Sequence, residues 1–136
     1  MRLIISIPVF AYLLIAASIV MHIGPVEQSM LNVIIYEMTL PSARPVVFTV
    51  SDIFLIACFF ILYIEVFKAT RASTAAQIDH ALSLVVFVIA LVMFLMLPRL
   101  GNVTFFIITL ATLMDVVIGF TVTISSARRD LNIGSL

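Results

Sequence analysis

The chain has 136 residues, 64% of them apolar and 10% charged, with seven basic side chains against seven acidic ones and a mean hydropathy of +1.32. Soluble domains are about half apolar and about a quarter charged, so this composition points to lipid as the solvent and leaves no residues for a separate soluble domain. The scattered bases exclude a nucleic-acid footprint, and the single cysteine, Cys58, excludes an intramolecular disulfide and a multi-thiolate metal site.

A hydrocarbon core of ~30 Å requires ~20 apolar residues per helix. Four windows meet that length, so the sequence predicts an all-α membrane protein, a bundle of four transmembrane helices forming a single domain over residues 1–136. The first window, 3–23, follows Met1-Arg2 and ends at Gly24-Pro25. It exceeds the ~7–15 residues of a signal-peptide apolar region and lacks a clear A-x-A cleavage signal, so it reads as a retained span.

The segment from Gly24 to Arg44 is half apolar. Val26, Met30, Val33, Ile34 and Met38 recur at helical spacing, with Glu27, Gln28, Asn32 and Glu37 between them. That pattern predicts a short amphipathic helix lying in the interface and closed by Pro41. An irregular loop carrying some apolar residues is the alternative.

The second window, 46–67, is introduced by Pro45 and closed by Lys68 and Arg71. Cys58 lies inside it and reads as a small packing residue. A short polar stretch leads to the third window, 80–97, which Pro98-Arg99 and Gly101-Asn102 stop. The fourth, 103–125, is closed by Arg128-Arg129-Asp130. About five residues join the third and fourth helices, which forces an antiparallel hairpin. Helices rather than a barrel are required, because residues 87–96 do not alternate and lipid supplies no hydrogen-bond partners.

Basic residues near the helix ends set orientation. Arg2, Lys68, Arg71, Arg128 and Arg129 fall on one side, and Arg44 and Arg99 on the other. Both termini are therefore expected in the cytoplasm, with small size and the lack of an organelle signal pointing to a bacterial inner membrane. With no Trp in the chain, Tyr36, Tyr63 and the basic side chains serve the interfaces.

An ionisable group in mid-bilayer costs on the order of 2.5–3.5 kcal/mol on insertion scales, so each one calls for a reason. Asp115 stands near the centre of the fourth window, ~15–18 Å from either end. Thr112, Asp115, Gly119, Thr123 and Ser126 follow at intervals of three or four, forming one small, polar stripe expected to face protein. Asp115 is a proton or cation site on one reading, and a neutral or paired carboxyl bonded to a neighbouring helix on the other. No basic residue is expected at its depth.

Asp52, beside Thr49 and Ser51, reads as a helix-start carboxylate favoured by the helix dipole, within reach of His22. Glu65 and Lys68 are spaced for a local ion pair, with a neighbour's base as the sharper option for Glu65. Asp79-His80 reads as a helix cap with a dipole-proximal partner. His22 and His80 fall near opposite membrane faces, ~25–30 Å apart, so they cannot ligate one iron within a chain. No catalytic constellation, metal-ligand spacing or phosphate loop is present, and no cofactor is expected.

The sequence therefore predicts a non-enzymatic membrane protein whose partners are the bilayer and other membrane subunits or further copies of itself. The leading expectation is an accessory or assembly subunit docking through the polar stripe. The alternative is a small oligomeric proton- or cation-coupled transporter using Asp115.

Overall fold

A computed structural model describes residues 7–23, 30–70 and 74–133, with side chains omitted at 74–77 and 126–133. Among the described residues, helix α1 (Val9–His22) is followed by a 3-10 turn (Met30–Asn32), strands β1 (Ile34–Thr39) and β2 (Pro45–Thr49), and helix α2 (Val50–Ala69). Helix α3 (Thr74–Met96), a 3-10 turn (Pro98–Leu100) and helix α4 (Val103–Ile133) complete the order. Residues 3–6, Arg2, Val26, Glu27, Gln28 and Arg71 lie outside the described residues, as do the side chains of Ser126, Arg128 and Arg129.

Three helical stretches are long and apolar enough to cross a membrane: Val50–Ala69, Ile78–Met96 and Val103–Ser125. Their outward faces carry large apolar side chains, with Phe59, Leu95, Met96 and Val103 each about 70% exposed. Such continuous apolar surface is stable against lipid and not against water. The α1 helix is equally apolar but only 14 residues long, ~21 Å. It begins at Val9 rather than at Leu3, because Pro8, whose φ is fixed and which has no N–H, stands at its N-cap.

The first loop departs from the expected amphipathic helix. Residues 34–39 and 45–49 form an antiparallel two-stranded sheet, pairing Tyr36 with Phe48, Glu37 with Val47 and Met38 with Val46. The runs Val33-Ile34-Ile35-Tyr36 and Val46-Val47-Phe48-Thr49 are β-branched and aromatic, which favours strand over helix. Between them Ala43 takes φ 60°, Leu40 N–H donates to Arg44 O at 2.9 Å, and Ala43 N–H donates to Leu40 O at 2.9 Å. Pro41 and Pro45 therefore frame a hairpin turn rather than ending one helix and opening the next.

Helix α2 consequently starts at Val50, four residues later than expected. Thr49 and Asp52 form a capping box there: the Asp52 carboxylate accepts Thr49 N–H at 2.8 Å, and Thr49 Oγ1 accepts Asp52 N–H. Helix α3 begins at Thr74 instead of His80, and α4 continues past Ser125 to Ile133. Asn102 starts α4 by accepting Phe105 N–H on Oδ1 at 2.9 Å.

Helix α4 is the central element. Of its membrane-length window 44% is buried, against 11% for α2 and 22% for α3, and it packs most extensively on those two helices. The apolar core joins Phe10, Leu14 and Ala17 of α1 to Cys58, Ala90, Phe105 and Ile108. Two contacts tie one end of the bundle: Arg99 Nη1 donates to His22 O at 2.7 Å, and Ser51 Oγ lies 2.7 Å from Thr104 Oγ1. That end, which also carries the hairpin, is called the Arg99 end below. Helix α1 stands away from α3, leaving an apolar groove of ≈ 320 Å³ lined by Leu14, Ile15, Ile19, Val86, Ile89 and Met93.

Candidate functional site: a buried ionisable cluster

At the opposite end, where α2 stops and α3 begins, the bundle encloses a set of charged and polar groups. Glu65, Asp79, His80, Ser83 and Asp115 are all at least nine-tenths buried. Lys68 joins them from the last turn of α2, with its side chain 27% exposed. Its Nζ lies 2.8 Å from Glu65 Oε2 and 3.0 Å from Asp79 Oδ2. The expected local pair of Glu65 and Lys68 is thus the first half of a bridge that ties α2 to α3.

Glu65 makes a further bond. Its Oε1 accepts Val9 N–H at 2.6 Å, so a carboxylate of α2 caps the first turn of α1. Pro8, the N-cap residue, offers no side-chain bond of its own. A buried helix N-terminus needs an acceptor for its orphan donors and favours a negative one, and Glu65 supplies both.

Asp115 projects from α4 toward α3, where the Ser83 hydroxyl hydrogen-bonds its carboxyl group, and Glu65, Lys68 and Asp79 lie within electrostatic reach. One turn further along α4, Gly119 faces His80. A Cβ built on Gly119 would collide with the Nδ1 edge of the imidazole, 2.7 Å from both Cγ and Cε1, so the ring occupies the space that the missing side chain leaves. Ser83 opposite Asp115 and His80 opposite Gly119 form two successive rungs of an antiparallel pair. Both rungs are dictated by spacing: three residues on α3 and four on α4 each make about one helical turn.

Three atoms in the cluster are fully buried yet lack a hydrogen-bond partner among the described residues: Asp79 Oδ1, His80 Nε2 and Asp115 Oδ2. Buried polar atoms are almost always paired, so three orphans in one neighbourhood mark a site with unmet chemistry. Among the described residues no three of His, Cys, Asp and Glu converge closely enough to hold a metal ion.

The residues singled out in the sequence separate accordingly. Asp115, Gly119 and Glu65 meet in the cluster, and Thr112 is buried just beyond it, with its hydroxyl donating to Thr109 O at 2.7 Å. Thr123 is partly buried and donates to Gly119 O at 3.0 Å. Asp52 stands apart at the Arg99 end, where it serves the α2 cap, and His22 bonds Ser18 O at 2.7 Å. Lys68 and His80 approach Asp115 from α2 and α3, with the imidazole one helical turn nearer the Lys68 end. Asp79 and His80 do not cap α3, since the helix begins five residues before Asp79.

Fold and site together define a helical membrane protein with an ionisable cluster enclosed at one end of its bundle. No family model, curated protein or solved structure matches the chain.

Proposed function

We propose that this chain is a small multi-pass protein of a bacterial inner membrane whose buried cluster takes up and releases protons, as the working site of an oligomeric proton- or cation-coupled transporter. Helix α1 would be the fourth crossing, and both termini would lie in the cytoplasm. The observation that carries the reading is Asp115 Oδ2, fully buried within a membrane-length helix and without a partner among the described residues, as are two further atoms of the cluster. An intramembrane carboxyl group is costly, and a proton or cation site is the usual reason for keeping one. Among the described residues, Glu65 and Asp79 share the ammonium of Lys68 and Asp115 lies within its electrostatic reach, so proton uptake would bring the three carboxyl groups toward neutrality. Four helices are too few to enclose a pathway, and further copies would complete it.

The test is proton flux into vesicles reconstituted with the purified protein, read with a pH-sensitive dye under an imposed gradient. Flux above that of empty vesicles, lost in Asp115→Asn, supports the proposal. Absence of flux at every gradient and counter-ion tried would sink it.

The accessory-subunit reading rests on the stripe of Thr112, Asp115, Gly119, Thr123 and Ser126, of which Thr112, Asp115 and Gly119 are buried within this chain's own bundle. One observation still favours it. Strand β1 is exposed along its whole length, including Ile34, Ile35 and Tyr36, and an isolated two-stranded sheet with open edges suits a docking element. Stoichiometric foreign subunits in the mildly solubilised native particle would establish that reading.

A further inference from the structure

We propose that His80 relays protons between the Lys68 end of the bundle and Asp115, and that Gly119 is the positioning residue that admits its ring. The inference deepens the functional reading above by giving the site its route of access.

Geometry carries it. His80 and Ser83 lie on one face of α3, ~4.5 Å apart along the axis, and Gly119 and Asp115 lie on one face of α4, ~6 Å apart. Ser83 meets Asp115 and His80 meets Gly119, so the imidazole sits one turn nearer the Lys68 end than the carboxyl group. His80 Nε2 and Asp115 Oδ2 are both buried without partners among the described residues. Asp79, adjacent to His80 in sequence, is bonded to the partly exposed Lys68. Among the described residues, the charged and titratable groups of the cluster around the ring are Glu65 and Lys68 from α2, Asp79 from α3 and Asp115 from α4. Toward the Arg99 end the same interior holds Phe105 and Ile108, each 0% exposed, and the buried Thr109 and Thr112, whose hydroxyls are bonded to carbonyls of their own helix. Among the described residues, the titratable groups around Asp115 therefore lie toward the Lys68 end.

The step balances as a simple transfer. A hydrated proton entering past Lys68 and Asp79 adds to one ring nitrogen of His80. The imidazolium gives the proton on its other nitrogen to the Asp115 carboxylate, directly or through the Ser83 hydroxyl. Asp115 is left neutral and His80 neutral in its other tautomer; rotation of the ring resets the imidazole, and release of the Asp115 proton restores the starting state. Imidazole suits this task because both nitrogens exchange protons near neutral pH. The close fit at Gly119 holds the ring in line while leaving no bulk beside it.

The experiment follows deuterium exchange at the Asp115 carboxyl group by infrared spectroscopy, with the full-length protein in lipid vesicles transferred from H2O to D2O. The band is assigned by its loss in D115N. Exchange is expected to slow ~100-fold in H80A and in H80Q, and similarly in G119A. Free imidazole should restore the rate in H80A, where the ring's space is vacant, and not in H80Q. Wild-type exchange in a folded H80A or H80Q overturns the proposal. So does a slowing that imidazole fails to relieve in a normally stable H80A, or the absence of any D115N-sensitive band between ~pH 5 and 8. Flux measured in the same vesicles separates the two readings. Flux with exchange indifferent to His80 removes the relay and leaves the transporter, whereas His80-dependent exchange without flux removes the transporter and leaves the relay.

Discussion

The Glu65 carboxylate accepts the Val9 amide at 2.6 Å, joining helices whose bonded residues lie 56 positions apart in the chain. The same carboxylate holds Lys68 at 2.8 Å, so one buried side chain fixes both the start of α1 and the end of α2. Glu65→Ala should lower bundle stability by about 3 kcal/mol, the typical cost of removing one member of a buried pair. Glu65→Gln keeps an oxygen for Val9 and should lose clearly less. Unfolding in mixed detergent–SDS micelles, followed by circular dichroism, measures both, and equal losses would show that the Val9 bond contributes nothing.

Lys68 is the counter-charge to two carboxylates on different helices. Lys68→Met should destabilise by leaving Glu65 and Asp79 uncompensated, and Asp79→Asn alone should cost less. In the double variant the loss of the second charge should offset part of the first, giving a coupling energy of about 1–3 kcal/mol. A cycle that closes at zero would mean that the α2–α3 bridge does not operate in lipid.

Gly119 and Gly101 make a matched pair of tests. A methyl group at Gly119 would collide with the His80 ring, whereas one at Gly101 would meet only Pro98 O at 3.5 Å, an ordinary contact. Gly119→Ala is expected to cost about 1–3 kcal/mol as overpacking, with Gly101→Ala near neutral. Thermal unfolding in one detergent ranks them, and the reverse order would contradict the packing at the α3–α4 interface.

Thr49→Ala removes the cap of α2, an effect worth about 1 kcal/mol at typical helix starts. The loss should appear as faster amide exchange over Val50–Ile53 while the cluster at the far end of α2 stays protected. Uniform loss of protection along α2 would mean that the cap holds the whole helix.

Much of this architecture is legible from hydropathy, because lipid leaves a long apolar helix few alternatives and α2, α3 and α4 each overlap most of an expected window. Their ends are less so. The boundary at Thr49 depends on a capping box of two polar residues, which an apolar window simply runs across. The hairpin was hidden because Met30, Val33, Ile34 and Met38 fit a helical period as well as a strand, and β-branching at residues 33–36 decides between them only once the facing run at 46–49 is paired.

The site divides the same way. Asp115 and Gly119 were visible because their spacing makes a stripe on one helix. Asp79, His80 and Ser83 share a face of α3 at intervals of three and four, yet they lie at the polar margin of its apolar window, where charge is cheap and attracts no notice. Lys68 was legible only as the local partner of Glu65. Its bond to Asp79 and the entry of His80 against Gly119 come from which helices pack together, and spacing within one helix carries no record of that.

Thr49 is both the final residue of β2 and the N-cap of α2, so strand passes into helix with no linker between them. The joint is closed by two bonds to the Asp52 carboxylate, at 2.8 Å from the Thr49 amide and 2.7 Å from its hydroxyl. Sheet and helix are consequently joined without a spacer, with the exposed hairpin at one end of the unit and Glu65 and Lys68 near the other, so a displacement of the hairpin would pass into α2 through the Thr49–Asp52 bonds.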